Sequence, residues 1–274
     1  MTEDHGDNTS DIAVTDTSVL NDVNLLSTVQ MMTISPNKRM TASNLFAARY
    51  DQLLLSFVSD PFVLRCMLKN TKSVVSGSNA LKLVSPIRVG DWVTNDLDIY
   101  TYMQPNTDRL ISFFKCAGYT LVDRPAPKKF YHRIEPGFVN VVSLTRQGKK
   151  IDIIISTKHS ALFPISRFWN TFLFNFITSD SLCVAYPEHV LGGHGLIRDI
   201  GMAHPRLEML KEKYAARGYE SNEPVLLDLG LVLPRKRRFG DEDCLVLVLG
   251  PSGVTESEHC HAREKILELG EFFW

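Results

Sequence analysis

Apolar residues in the first part of the chain recur at helical spacing. From Thr41 onwards they predict a helix through SNLFAARYDQLLLSFVSD, after a Thr/Ser cap candidate. Asp60 and Pro61 predict the start of a second helix, because proline is favoured at the first helical position. A third helix is predicted in QPNTDRLISFFKCAG, where Gly118 is the stop signal. We interpret the first two helices as packing elements without chemistry.

Shorter apolar runs predict the strands of a sheet. KSVVSG predicts a strand ending in glycine, SNALKLV predicts one or two helical turns, and NDLDIYTYM predicts another strand. Strands at 138–145 and 149–155 are predicted to form a hairpin through Arg146-Gln147-Gly148. The remaining predictions are a strand at 119–122, a strand in SLCVAYP, a turn-rich link in VLGGHGLIRD, a helix at 204–218, paired strands in PVLLDLGLVL and CLVLVLG, and a helix at 258–273.

The order of these elements predicts an α+β fold with a mixed sheet flanked by helices. Residues 1–40 contain several Asp and many Ser, Thr and Asn without sustained periodicity, so we expect a disordered acidic tail there. The main domain is predicted at 41–200. A small C-terminal α/β appendage is predicted at 201–274.

Charge and composition narrow the range of partners. The formal net charge of -1 gives no overall attraction to nucleic acid or to a membrane. The five cysteines are scattered, unlike a secreted disulfide framework, and no stretch reaches the ~20 apolar residues of a membrane-spanning helix. We expect a cytoplasmic or nuclear protein with no membrane partner. The basic run at 234–238 is interpreted as a solvated hairpin tip, with a nuclear address or a nucleic-acid contact as the alternatives.

Three aspartates are the candidates for chemistry. Asp96 and Asp98 flank Leu97 on a predicted strand, so their side chains point to one face while Leu97 points to the core. Asp152 lies among isoleucines in KKIDIIIS, where an ionised carboxylate is costly unless a partner or an open cleft compensates for it. Adjacent carboxylates repel each other, and a divalent cation that prefers oxygen ligands is the simplest compensation. The alternatives are a solvated strand face for the pair and a paired sheet-edge residue for Asp152.

The order of these motifs resembles the DNA polymerase beta-like nucleotidyltransferase superfamily. The similar pieces are a hydrophobic strand running into Gly77-Ser78, the carboxylates Asp96 and Asp98, and the later carboxylate Asp152. The phrases SGSNAL, DLDIY and NFIT are also similar to uncharacterised fungal members, and the resemblance spans roughly residues 73–187. Residues 79–95 make the spacing between Ser78 and Asp96 longer than is usual in that superfamily. This spacing predicts an insertion that reshapes the substrate mouth.

The resemblance implies a nucleotidyltransferase-like fold with a site for Mg²⁺ or Mn²⁺ and an NTP. Asp96 and Asp98 would be shared metal ligands, and Asp152 would be a further ligand and the base for the acceptor hydroxyl. Gly77 would let the backbone approach a triphosphate, and Ser78 would offer its hydroxyl and backbone N–H groups. Four basic side chains are either phosphate contacts or solvated surface charges: Lys82, Arg88, Lys149 and Lys150.

Two functional hypotheses follow from the sequence. The first is a metal-dependent nucleotidyltransferase that moves a nucleoside monophosphate from an NTP to an unknown hydroxyl acceptor, which is a small molecule, a protein or RNA. The second is a catalytically inactive nucleotidyltransferase-fold protein with a binding or regulatory role. The chain contains neither a P-loop nor a Gly-x-Ser-x-Gly elbow, and the aromatic residues at 169–176 are interpreted as core.

Overall fold

The computed structural model describes residues 36–85, 92–123, 137–198, 204–223, 237–250 and 256–269. Within these ranges the chain forms an α+β fold built on an eight-stranded mixed sheet, as the sequence predicts. Residues 1–35 of the predicted tail lie outside the described ranges, as does the 86–91 part of the predicted insertion. None of the described helices combines the length and apolar character needed to cross a membrane.

The described helices and strands follow one another in mixed order along the chain. The helices are α1 (Pro36–Leu55), α2 (Pro61–Asn70), α3 (Ser78–Val84), α4 (Gln104–Cys116), α5 (Pro187–Gly192), α6 (His204–Ala215) and α7 (Glu256–Glu268). The strands are β1 (Val74–Ser76), β2 (Asp96–Thr101), β3 (Thr120–Leu121), β4 (Phe138–Arg146), β5 (Lys149–Ser156), β6 (Asn175–Ile177), β7 (Ser181–Val184), β8 (His194–Leu196), β9 (Glu220–Asn222) and β10 (Leu245–Val248).

The strand order of the large sheet places β2 and β5 next to each other at its centre. The order is β10-β7-β6-β1-β2-β5-β4-β3, and β8 and β9 form a separate two-stranded sheet. In the large sheet as described, β2 and β5 run parallel, while every other neighbouring pair is antiparallel. This parallel pairing places residues of β2 directly beside residues of β5, although the two strands are distant in sequence.

The two faces of the large sheet pack against different hydrophobic cores. Leu97 and Ile99 of β2 face a core that contains Phe46, Leu64 and Phe114 from helices α1, α2 and α4. The opposite face presents Val74, Tyr100, Ile154 and Phe176 to a second core, which also contains Phe239 and Ile266. The polar residues described below lie on this second face, because Asp96 and Asp98 alternate with Leu97 and Ile99 along β2.

Most of the predicted elements are confirmed. The first helix begins at Pro36 rather than Thr41, and the second has the expected proline start, with the Asp60 side chain accepting a hydrogen bond from the Val63 backbone N–H at 3.2 Å. The turn-rich link predicted in VLGGHGLIRD is wrong, because that segment forms α5 and β8. All five cysteines lie within the described ranges and are free thiols.

The segment predicted as a C-terminal appendage contributes elements to the main fold. Strand β10 pairs with β7 as the outermost strand of the large sheet, and Ile266 of α7 packs into the second core. The partner predicted for β10, in PVLLDLGLVL, lies outside the described residues. The division of the chain at residue 200 stays a prediction.

Candidate functional site

A row of four polar side chains crosses the centre of the sheet. Ser76 of β1 is the register partner of Asp98 on β2, and Asp98 is the partner of Asp152 on β5. Asp152 is in turn the partner of Ser143 on β4. Register partners on neighbouring strands project from the same face of a sheet. The structure therefore brings Asp98 and Asp152 side by side, although they are far apart in the sequence.

A second pair of charged residues lies two positions earlier on the same two strands. Asp96 of β2 is the register partner of Lys150 on β5. Because side chains two apart on a strand share a face, these residues flank Asp98 and Asp152. The result is a two-by-two array of charges with three carboxylates and one ammonium group. All three predicted aspartates belong to this array, and their role as ligands stays a prediction.

Gly77 approaches the Asp98 carboxylate closely. Its φ is +70°, and a Cβ added at this position would lie 2.5 Å from Asp98 Oδ2. A side chain at residue 77 would therefore meet both backbone strain and a steric clash. The sequence predicts that this glycine makes room for a triphosphate. In the structure, the Asp98 carboxylate occupies the space that a side chain at residue 77 would need.

Both carboxylate oxygens of Asp152 have partners within the chain. The Ser143 hydroxyl donates a hydrogen bond to Asp152 Oδ1 at 2.6 Å, and the Lys150 ammonium group contacts Oδ2. The Lys150 and Asp152 side chains are 26% and 13% exposed. These contacts provide the compensation that an ionised carboxylate among isoleucines requires.

The environment of Asp98 disfavours its ionised form. Burial is the main cause, the negative charges of Asp96 and Asp152 add to it, and together they raise the pKa of Asp98 to about 7. The positive charges of Lys150 and Lys213 act in the opposite direction without cancelling this shift. Burial and the two neighbouring carboxylates therefore outweigh the two lysines in setting the pKa of Asp98.

Residues of α6 and the turn after it form a basic and aromatic wall beside the array. Arg217 Nη1 donates a hydrogen bond to Ser78 Oγ at 2.8 Å, and the Tyr214 hydroxyl lies 3.4 Å from the same oxygen. The Arg217 guanidinium carbon lies 4.2 Å from the centroid of the Trp92 ring and 5.2 Å from that of Tyr214. Burial and Arg217 lower the pKa of Lys213, while Asp96 raises it.

The sequence did not indicate the wall. Lys213, Tyr214 and Arg217 lie in the helix predicted at 204–218, and no motif marks them as site residues. The signal available was the spacing of these two cations, since residues four apart on a helix share a face. That signal is weak, because most such pairs are solvated surface charges.

Asn79 connects α3 to the start of β2. Its side-chain amide donates to the Asp96 carbonyl at 2.5 Å, and its Oδ1 accepts from the Thr94 hydroxyl at 2.5 Å. The Asn79 side chain is fully buried. These two bonds hold the backbone of Asp96 against the Gly77-Ser78 segment, and no local sequence pattern indicates them.

The four basic residues that the sequence offers as phosphate contacts do not form one cluster in the described structure. Lys150 contacts Asp152, whereas the Lys149 ammonium group lies 5.3 Å from the Phe57 ring centroid and 3.3 Å from Asn95 Oδ1. The Lys82 ammonium group lies 5.9 Å from the centroid of the Trp92 ring, and Arg88 is outside the described residues.

The basic run at 234–238 is described from Arg237 onwards. The Arg237 side chain pairs with Asp241 at 2.7 Å and donates to the Ala185 carbonyl at 2.9 Å. Its guanidinium carbon also lies 5.0 Å from the centroid of the Tyr186 ring. The interpretation of this run as a solvated hairpin tip is wrong for Arg237, because the side chain is bound within the fold.

A cavity of about 140 Å³ lies elsewhere, between α2, the β6–β7 turn and α7. Its lining combines three lysines, two carboxylates, four hydroxyl residues and an apolar floor, namely Lys69, Lys72, Lys265, Asp180, Glu268, Ser73, Thr178, Ser179, Ser181, Leu68, Ala262, Ile266 and Leu269. None of the three predicted aspartates lines it. We therefore base the candidate site on the charges of β2 and β5 rather than on this cavity.

The donor chemistry of the array suits a divalent cation. Carboxylate oxygens are the ligands that Mg²⁺ and Mn²⁺ prefer, and three carboxylates share one face of β2 and β5. In the described residues, however, no group of three or more His, Cys, Asp or Glu side chains forms a ready-made metal site. Lys150 holds one oxygen of Asp152, so a cation that used this oxygen would have to displace the ammonium group.

Comparison with known proteins adds no family to this description. No protein-family model matches the chain, and no curated protein matches it at the threshold of significance. The fold and the array of carboxylates and cations are therefore the basis for the function proposed below.

Proposed function

We propose that the chain is a metal-dependent nucleotidyltransferase, which transfers a nucleoside monophosphate from an NTP to a hydroxyl acceptor. The observation that supports this most directly is the register pairing of Asp98 with Asp152, with Asp96 on the same face. Three carboxylates on two adjacent strands provide the oxygen donors that such a reaction requires. The proposed cofactor is Mg²⁺ or Mn²⁺.

Each group of residues has a defined task in this proposal. Asp96, Asp98 and Asp152 would hold the cation, which would neutralise part of the phosphate charge. Asp152 accepts the proton of the acceptor hydroxyl, whose oxygen forms the new bond to the α-phosphorus while pyrophosphate leaves. Arg217 and Lys213 offer positive charge to the phosphate chain from the wall beside Ser78.

Specific contacts favour the non-catalytic alternative. Both oxygens of Asp152 are bound by Ser143 and Lys150, and the Ser78 hydroxyl accepts a hydrogen bond from Arg217. A protein that used the fold only for binding could keep these contacts permanently. In a transferase, the contacts to Lys150 and Arg217 have to be exchanged for ligand contacts.

Calorimetry and a pyrophosphate-release assay together test the proposal. Titration with Mn²⁺ and a panel of NTPs measures binding, and release is measured with small alcohols, protein and RNA as acceptors. We expect wild type to bind Mn²⁺ and an NTP, and we expect Asp98→Asn to lose most of this binding. Asp152→Asn should abolish pyrophosphate release. Asp108→Asn is the control, because Asp108 is an exposed α4 residue that accepts only from Gln104 in the described contacts.

The outcomes separate the two functions. Pyrophosphate release that is unchanged in Asp98→Asn and Asp152→Asn would exclude the proposed transferase site. Metal-dependent NTP binding without any release would favour the binding or regulatory protein. Absence of both Mn²⁺ and NTP binding in wild type would contradict the proposed use of a metal and a nucleotide.

A further inference from the structure

We propose that Lys150 is a built-in counter-ion of the carboxylate array and that a divalent cation binds by displacing it from Asp152. This inference deepens the proposed function and rests on it, because it concerns how the same site is loaded. It assigns to Lys150 a role opposite to that of a phosphate contact. The lysine competes with the metal for a carboxylate oxygen.

The positions of the four charged side chains place Lys150 inside the array. Asp96 and Lys150 are register partners, and Asp98 and Asp152 are register partners two residues further along the same strands. Lys150 and Asp152 are therefore on the same face of β5, and the ammonium group contacts Asp152 Oδ2. The ammonium group thus holds an oxygen that the proposed metal would need.

The charge balance explains why the chain places a lysine there. Without Lys150, the three carboxylates would share one face of β2 and β5 with no cation from that face of the two strands, and neighbouring like charges repel. Lys150 lies in the same array as Asp96 and Asp98, so its positive charge acts on more than the residue that it contacts. The ammonium group stabilises the metal-free fold, and for the same reason it opposes metal binding.

Lys149 provides a matched control on the neighbouring position. Adjacent residues of a strand point to opposite faces, and the Lys149 ammonium group lies over the Phe57 ring and near Asn95 Oδ1 rather than on an aspartate. Lys149→Met and Lys150→Met therefore remove the same charge from neighbouring residues of β5. Only Lys150→Met removes the ammonium group that contacts Asp152 Oδ2.

The experiment measures Mn²⁺ affinity by calorimetry and thermal unfolding in the presence of a chelator. We expect Lys150→Met to bind Mn²⁺ about tenfold more tightly than wild type, since a partly buried charge pair no longer has to be broken. Lys149→Met should stay within about twofold of wild type, because its charge is on the other face and is screened. In the chelator, Lys150→Met should unfold at a lower temperature than Lys149→Met.

Two further measurements separate displacement from general charge repulsion. High salt suppresses repulsion between Lys150 and Mn²⁺ through solvent, but it does not suppress their competition for Asp152 Oδ2. The higher Mn²⁺ affinity of Lys150→Met should therefore persist at about 0.5 M salt. The gain should disappear when Asp152→Asn is already present, because there is no longer a carboxylate for Lys150 to hold. A gain that vanishes at high salt would overturn the displacement mechanism.

The outcomes also distinguish this inference from the proposed function. If wild type binds Mn²⁺ and both lysine variants bind it equally well, the inference is wrong while the metal site stands. If neither wild type nor Lys150→Met binds Mn²⁺ at millimolar concentration, both the displacement and the metal-dependent function are wrong. A tenfold gain in Lys150→Met alone, lost in the Asp152→Asn background, supports the inference.

Discussion

Gly77 and Asp98 are in such close contact that no other residue fits at position 77 without a shift. The Cβ of an alanine at this position would lie 2.5 Å from Asp98 Oδ2, well inside van der Waals contact. The contact follows from the antiparallel register of β1 and β2, which pairs Ser76 with Asp98 and leaves Gly77 at the end of the strand. The turn into α3 and the position of the Asp98 carboxylate therefore depend on each other.

Gly77→Ala is expected to destabilise the protein by about 3 kcal/mol. Roughly 1–3 kcal/mol comes from the backbone conformation, φ +70° and ψ −142°, which residues other than glycine rarely adopt, and the remainder comes from the clash with the carboxylate. Because the clash moves Asp98, the variant should also bind Mn²⁺ more weakly. Urea unfolding measures the first effect and calorimetry the second.

Gly148→Ala is the control for backbone strain alone. Gly148 also has a positive φ, +77°, but a Cβ there would meet nothing within 4 Å. The cost of Gly77→Ala should exceed that of Gly148→Ala, and it should fall when Asp98→Ala removes the clashing oxygen. Equal costs for Gly77→Ala with and without Asp98 would show that the close contact is not the cause.

The stability of the metal-free protein should fall between about pH 4 and pH 7 because of Asp98. The pKa of this carboxyl rises from 3.8 to about 7 on folding, so in this range the folded state binds more protons than the unfolded state. Under that condition the free energy of unfolding decreases as the pH rises, and the effect levels off above about pH 7. Urea unfolding in a chelator at several pH values measures the decrease.

Asp98→Asn removes this titration and isolates the contribution of Asp98. The stability of the variant relative to wild type should increase by roughly 2–4 kcal/mol from pH 4 to pH 7. Asp108→Asn, an exposed α4 residue, should follow wild type across the same range. A constant difference between Asp98→Asn and wild type would contradict the raised pKa.

Local patterns predict the strands that carry the site, but they do not predict that Asp152 pairs with Asp98. Alternation along β2 predicted that Asp96 and Asp98 share a face while Leu97 points to the core, and the burial pattern of β2 confirms it. The pairing of Asp98 with Asp152 depends on the register of a parallel pair. That register is set by contacts distant in sequence, so the superfamily resemblance, rather than the local pattern, suggested it.

Residues outside the local patterns could not be assigned from sequence. β6 was not predicted as a strand because Asn175, Phe176 and Ile177 are all buried, which removes the alternation of a half-exposed strand. Arg217 follows α6, which ends at Ala215, whereas the sequence predicted a helix to residue 218. The turn that directs Arg217 onto Ser78 depends on packing of Tyr214 and Trp92 against it, and no local signal encodes that packing.

Asn79→Ala is expected to weaken both the fold and metal binding. The substitution leaves the Asp96 carbonyl and the Thr94 hydroxyl without their partner, which costs about 1–3 kcal/mol for buried polar groups. Because the Asp96 backbone loses its anchor, Mn²⁺ affinity should fall as well. Urea unfolding and calorimetry measure the two effects separately.

Asn106→Ala is the matched control for Asn79→Ala. The Asn106 amide also donates to a backbone carbonyl, that of Tyr102 at 3.0 Å, but Tyr102 follows the opposite end of β2 from Asp96. Asn106→Ala should lower stability without changing Mn²⁺ affinity. If Asn79→Ala behaves in the same way, Asn79 supports the fold and does not position Asp96.

Arg217→Met is expected to weaken binding of an NTP by about tenfold in the presence of Mn²⁺, since a charge-assisted contact to phosphate is lost. The NTP affinity of Arg217→Lys should lie between those of wild type and Arg217→Met, because lysine keeps the charge but not the planar stack on Trp92. Lys211→Met is the control from α6, the helix that precedes Arg217, since the Lys211 ammonium group pairs with Glu208 at 3.1 Å and Glu223 at 3.4 Å. Calorimetry with ATP and with tripolyphosphate measures the change in affinity.

An equal loss of affinity for both ligands would place Arg217 on the phosphate chain. Unchanged affinity in Arg217→Met would exclude the wall of α6 from the nucleotide site.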